Sequence, residues 1–212
     1  MNEVYLCTKI QKDILVDGNY EKLEWRNIEE VSLMENIKGN SPKMTTMVKS
    51  IWSDKYLYFL FVCKDDFIKA TMTSFNDKLY EEDVVEIFLD DNNDIKTYIE
   101  IEINPLNAVL HYQVNNNLKG DILTYARVDN CIQSAVRINN SASEISYEIA
   151  IPFTEFVTSF NTPPKSGDSW GMNLFRIDRG EDTEDEYSAW SPTGVLNFHK
   201  PEFFGKINFI NT

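Results

Sequence analysis

The chain has 212 residues, 42% hydrophobic and 13% aromatic, which suits one full core and argues against global disorder. Its 34 acidic residues against 20 basic ones leave a net charge of −14. That balance argues against nucleic-acid partners and anionic membranes, which need clustered Lys and Arg, and suits hard cations such as calcium.

No apolar run approaches the ~18 residues of a membrane span, so no membrane insertion is expected. The first residues have neither a basic n-region nor an apolar h-region. The expected location is cytoplasmic if Met1 is the native start, and secreted or cell-surface if a leader was removed. Cys7, Cys63 and Cys131 form no CxxC pair, and two histidines are too few for a zinc cluster. Cys63 sits in an apolar run and is expected to be buried.

In chain order, Val16-Asp17-Gly18 followed by Trp25 reads as an edge segment entering a sheet. Residues 44–52 and 56–63 are aromatic and β-branched runs joined by Ser53-Asp54-Lys55, a hairpin pattern. Residues 84–89 form a strand with Val85, Ile87 and Leu89 on one face and Val84, Glu86 and Phe88 on the other. Asp90 to Asp94 make an acidic turn, because Asx side chains cap tight bends. This turn reads either as a solvated hairpin or as a calcium site without EF-hand spacing.

Residues 97–104 alternate, with Ile99, Ile101 and Ile103 toward a core and Tyr98, Glu100, Glu102 and Asn104 opposite. Further strands are predicted at 109–114, 132–138, 145–151, 170–177 and 206–210. A short helix is predicted over 152–160, opened by Pro152 and carrying Phe153, Phe156, Val157 and Phe160 at helical spacing. About ten short strands with regular turn signals define one all-β domain over 1–212, an antiparallel, jelly-roll-like β-sandwich with one short helix. Trp25, Trp52, Trp170 and Trp190 fall in or beside apolar strand patterns and are assigned to the core.

Glu86, Glu100 and Glu102 share one strand face, either as a solvated, charge-balanced surface or as a hydrogen-bonding floor. Arg176 would extend such a floor if it faced the acids; otherwise it is a salt-bridge residue. Tyr80, just before the strand at residue 84, and Phe198, in a polar loop beside His199, are either lids on the core or rings that cover the C–H face of a sugar. His199 either donates to a ligand hydroxyl or bonds the Pro201-Glu202 turn, the latter being favoured. The motifs of serine hydrolases, P-loops and dinucleotide sites are missing, and paired acids arise by chance in so acidic a chain. No catalytic residue or metal ligand is therefore assigned. A glycoside hydrolase using the strand carboxylates and an interaction sandwich without sugar binding are the alternatives.

Several segments in one order carry a family resemblance. They are Asp17-Gly18 with Trp25, Trp52-Ser53-Asp54-Lys55-Tyr56, Glu82 through Asp90, Gly171-Met172-Asn173, Trp190-Ser191-Pro192-Thr193 and Pro201 through Gly205. In these the chain resembles the family 9 carbohydrate-binding modules and the broader family 9-like domains. The resemblance implies a β-sandwich that binds a saccharide non-catalytically in carbohydrate catabolism, with a glycan-degrading enzyme as a possible associate and structural calcium in some members. It implies that two stacked aromatics, usually tryptophans, grip a saccharide end. Tyr80 and Phe198 match those positions, and Glu86 matches a sugar-bonding glutamate. A sugar-contacting arginine is replaced by Glu102, and a contacting glutamine by Phe175. The candidate binding residues are thus Tyr80, Glu86, Glu102, Phe198 and His199. Smaller rings offer less stacking area than tryptophan, so weak or altered saccharide binding is expected.

Overall fold

The computed structural model describes residues 3–181 and 184–211; Met1 and Asn2, on which the reading of the N-terminus rests, lie outside them. In chain order the strands are β1 (Val4–Lys9), β2 (Glu30–Ser32), β3 (Met34–Glu35), β4 (Thr46–Trp52), β5 (Tyr56–Lys64), β6 (Val84–Asp90) and β7 (Thr97–Ile103). There follow β8 (Val109–Asn116), β9 (Ile122–Ala126), β10 (Gln133–Asn139), β11 (Glu144–Pro152), β12 (Ser169–Asp178), β13 (Glu186–Ala189) and β14 (Gly205–Ile210). The hairpin at Ser53-Asp54-Lys55 joins β4 to β5, and the acidic turn joins β6 to β7.

Hydrogen bonds link the strands in the order β10-β11-β5-β4-β1-β14-β12-β6-β7-β8-β9. Strands from opposite ends of this ladder share one core. Leu57, Phe59, Phe61 and Cys63 of β5 pack in the same cluster as Val85, Ile87 and Leu89 of β6 and Ile99, Ile101 and Ile103 of β7. The sheet therefore folds over into two layers, with β1 and β14 at the fold. The pairing is mixed, because β1 runs parallel to both β14 and β4. All four tryptophans are buried, as are Cys7 and Cys63, while Cys131 is exposed and all three thiols are free. Among the described residues no helix is long and apolar enough to cross a membrane.

Two expectations are corrected here. Residues 152–160 form no α-helix: Pro152 ends β11 and a single 3-10 turn, Phe153–Glu155, follows. Phe153 and Phe156 pack on Trp170, with ring centroids 6.1 and 4.6 Å away, but Val157 and Phe160 face solvent. One short turn places both inner rings, and no apolar stripe continues it into a helix.

Nor does the Val16–Trp25 segment enter at a sheet edge. It lies as a loop over the outer face of the β4-β5-β11 layer, where Trp25 packs with Ile51, Tyr58, Leu60 and Ala150. The anchor is Glu148 of β11, fully buried, which accepts hydrogen bonds from the Asp17 and Gly18 amides (2.7 and 2.9 Å), Trp25 Nε1 (2.8 Å) and Lys22 Nζ (2.7 Å). Gly18 has φ +76°, and a Cβ there would stand 2.9 Å from Arg137 Cγ, so glycine fits where a side chain would not.

Candidate functional site

The outer face of the other layer is not solvated. The rows of the β12-β6-β7-β8 ladder place Phe175 beside Glu86, Glu86 opposite Glu102 and Glu102 opposite Leu110; the next row runs Phe88, Glu100, Tyr112. Two segments cover these rows. One is the 3-10 turn Leu79–Glu81 ahead of β6, which buries Leu79 and leaves Tyr80 37% exposed. The other is the segment 195–204 ahead of β14.

The acids beside Tyr80 hold the first segment in place. Glu82 accepts from the Thr71 amide and hydroxyl, both at 2.6 Å, and Asp83 accepts from the amides of Lys69 (2.5 Å) and Arg179 (2.7 Å). Their role is to shape the loop, which is why the most visible charges in the sequence do not line the cleft.

The second segment is held from below. Phe198 lies flat on Phe175, ring centroids 4.1 Å apart and 12° from parallel. Trp190 and Gly205 meet so closely that a Cβ on Gly205 would stand 2.6 Å from the indole. Asn173 clips Ser191 in both directions, donating to its carbonyl (2.8 Å) and accepting from its amide (2.9 Å). Asn36 likewise accepts from the Thr193 amide at 2.9 Å. The Trp190–Thr193 and Gly171–Asn173 signatures thus serve the scaffold.

Between the two segments opens a cleft of about 410 Å³, lined by all five candidate residues. Tyr80 and Phe198 stand on its walls with Tyr112 and Tyr187, and Glu86, Glu100 and Glu102 lie on its floor. One oxygen from each of these acids lies within 4.8 Å of the others. They are 2%, 4% and 0% exposed. Glu86 Oε1 finds no hydrogen-bond partner among the described residues, and Glu102 meets only the Glu100 carboxyl and, weakly, the Tyr80 amide.

Burial, reinforced by the Glu100 charge and opposed by Arg179, holds the Glu86 carboxyl well above the usual carboxylate range. Burial pushes Glu100 up to about 7. Glu102 is raised by burial, then by the charges of Glu86 and Glu100, against a weak pull from the Tyr80 backbone amide.

His199 does not bond the Pro201-Glu202 turn, contrary to the favoured reading. Its Nδ1 lies 3.0 Å from the Tyr98 hydroxyl, and its ring centroid 5.2 Å from that of Phe88. Because the Tyr98 hydroxyl also accepts from Asn116 Nδ2 at 3.3 Å, the network assigns its proton toward Nδ1 and leaves Nε2 as the donor. Burial holds this imidazole down at about 4, so it is neutral at physiological pH.

Arg176 does not join the acid floor. It points to the inner side of β12, donating to Asp65 (2.9 Å), Asp178 (2.6 Å) and the Lys64 carbonyl (2.7 Å), and ties the two layers together. The arginine on the cleft is Arg179, which the sequence reading missed. Its guanidinium donates to Asp185 (2.6 Å), the Tyr187 hydroxyl (2.7 Å) and the Tyr80 carbonyl (2.7 Å), bracing one wall. Tyr112 was also missed; its place opposite Glu100 follows from the alternation of β8.

The acids of the Asp90–Asp94 turn are engaged as in a hydrogen-bonded hairpin. Asp94 accepts from the Lys96 and Thr97 amides, both at 2.7 Å, Asp90 from the Ile95 amide at 2.9 Å, and Asp91 from the Ser159 amide at 2.7 Å. Asp91 and Asp94 also accept from the Thr158 and Thr97 hydroxyls, so their oxygens serve the loops, and Asp90 Oδ1 alone is left without a partner among the described residues. Among the described residues, the floor of the cleft is the group whose acidic oxygens converge.

Fold and cleft together define a β-sandwich with a cleft walled by aromatic rings and floored by buried acids. Residues 16–212 match the family described as carbohydrate family 9 binding domain-like, and the chain belongs to that family. A family 9 carbohydrate-binding module from Caldicellulosiruptor kristjanssonii, solved with cellotriose, superposes with a TM-score of 0.71 at 17% identity over 99% of this chain and 95% of that one. A solved chain from Bacteroides uniformis ATCC 8492 superposes with a TM-score of 0.77 at 19% identity, covering 99% of this chain and 100% of that one. Endo-1,4-beta-xylanase A of Thermoanaerobacterium saccharolyticum is 31% identical over 157 residues, which is 74% of this chain but 12% of that enzyme.

Proposed function

We propose that the cleft binds a saccharide without transforming it, between the walls carrying Tyr80 and Phe198. The observation that carries this reading is the placement of both rings on one cleft whose floor holds Glu86 and Glu102. A flat ring covers the apolar face of a sugar, and buried polar groups fix its hydroxyls. The solved relative with cellotriose supports a β-linked glucan or similar chain as the ligand. The xylanase relative supports an association with glycan-degrading enzymes. A monosaccharide of about a dozen heavy atoms, at ~0.3 kcal/mol each, gives ~4 kcal/mol, or millimolar affinity.

Glycoside hydrolysis fits the floor poorly. It needs two carboxyls in opposite protonation states, one acid and one ionised base or nucleophile. Here burial pushes all three in the same direction. Calorimetric titration with cello- and xylo-oligosaccharides, repeated on Tyr80→Ala and Phe198→Ala, tests the proposal. Binding weakened in both variants is the expected result; undiminished binding in both sinks the clamp.

A further inference from the structure

A neutral sugar does not need three buried acids beneath it. The floor of the cleft concentrates Glu86, Glu100 and Glu102, all buried, with acidic oxygens within 4.8 Å of one another. Glu86, buried and on the cleft lining, leaves Oε1 without a partner, while Glu102 meets only the Glu100 carboxyl and the Tyr80 amide. Little positive charge answers them. Among the described residues no lysine lines the cleft, and the one arginine that does, Arg179, is held at 2.6 Å by Asp185. His199 is neutral.

In the free protein these carboxyls hold protons; a cation entering beside them displaces a proton and leaves a carboxylate, which accepts hydrogen bonds only, whereas a sugar hydroxyl both donates and accepts. The group that complements such a floor is a pure donor carrying positive charge. An ammonium has three N–H donors and no acceptor, and charge-assisted bonds are the strong ones. The walls agree: Tyr80, Tyr112 and Phe198 present rings to an organic cation, which aromatic faces attract. A calcium ion instead takes six to eight oxygen ligands, and beyond the three acids this cleft offers mostly rings and aliphatic side chains.

We infer that the cleft selects a saccharide bearing a free amino group, whose ammonium sits on the Glu86–Glu100–Glu102 floor while its ring lies between the Tyr80 and Phe198 walls. This rests on the saccharide-binding reading and names the ligand class within it.

Titration calorimetry on the full chain at pH 6.5, with a chelator present, separates the possibilities. The probes are the β-1,4-linked glucosamine dimer, its N-acetylated counterpart and cellobiose. The free amine is expected to bind about 10-fold or more tighter than either neutral dimer, the gain of one or two charge-assisted bonds. Glu102→Gln should level that preference, and Glu100→Gln should reduce it; circular dichroism confirms that both variants fold. Neutral dimers binding as well as the amine would overturn this inference and leave saccharide binding standing. No binding of any dimer would overturn both. A single calcium site, titrated without chelator and removed by Glu102→Gln, would make the floor a metal site and overturn the ammonium reading alone.

Discussion

Glu86 and Glu102 stand directly opposite one another across the β6–β7 ladder, both buried, like charge facing like charge. Such pairs destabilise a sheet, and burial multiplies the cost. The fold tolerates them by holding protons that the unfolded chain releases. The folded values of Glu86, Glu100 and Glu102 are all raised, Glu100 to about 7. Their contribution to stability is therefore full below the ordinary glutamate value and is lost as pH rises through the folded values.

Two histidines work the other way at lower pH. Burial holds His111 and His199 down at about 4, so each adds stability as pH climbs toward ~6.5 and nothing beyond. The other groups facing the floor stay silent between pH 6.5 and 8: Tyr80 and Tyr112 are raised above the ordinary phenol, and Arg179 stays charged. Melting temperature should thus fall from pH 6.5 to 8, and Glu102→Gln should flatten that fall. An unchanged slope in the variant would show that the triad is not its source.

The Phe175–Phe198 stack divides stability from binding. Phe175 is fully buried in a cluster with Phe88 and Tyr98, so Phe175→Ala should cost roughly 3–5 kcal/mol in denaturant unfolding. Phe198 is only partly buried and caps that cluster from the cleft side. Phe198→Ala should cost less stability than Phe175→Ala yet weaken saccharide affinity about 10-fold. Comparable stability losses with unchanged affinity would assign Phe198 to the core alone.

Arg176 makes the opposite case, all structure and no cleft. Burial pushes Asp65 and Asp178 up to about 6 even with Arg176 beside them. Removing the guanidinium strands two buried carboxyls, so Arg176→Met should lose roughly 3–5 kcal/mol at neutral pH. Part of that loss should be recovered near pH 5, where the stranded acids protonate. Saccharide affinity measured on the folded fraction should not move; a change there would place Arg176 in the binding machinery.

The alternation through residues 84–104 made the acid floor legible, because a period of two assigns faces without knowledge of the partner strand. The same alternation puts Phe175 and Arg176 on opposite sides of β12, which decides Arg176 for the salt bridge. It did not disclose β9, whose five residues are all exposed and carry no one-sided pattern. It also missed β1, whose parallel partner β14 lies at the far end of the chain. Arg179 lies one residue past β12, and its link to Tyr80 depends on a tertiary approach that local spacing does not encode. His199 was misassigned because Tyr98, about a hundred residues earlier, supplies a better partner than the adjacent turn.

Glu148 offers the sharpest test of the covering segment. One carboxylate receives two backbone amides, an indole N–H and the Lys22 ammonium, and so takes the donors of the Asp17–Trp25 approach, while Arg137, Ser146 and Lys49 bond its carbonyls. Glu148→Gln keeps the shape, but its amide brings a donor toward groups that already donate and leaves Lys22 without its buried partner. The expected loss is roughly 3 kcal/mol in stability. Because Trp25 shields Ile51, Tyr58 and Leu60, the loss should appear as early quenching or red-shift of tryptophan fluorescence in denaturant, ahead of the far-ultraviolet transition. The cleft lies on the other layer, so affinity at low denaturant should be retained. Coincident transitions in the variant would show that the segment unfolds only with the whole sandwich.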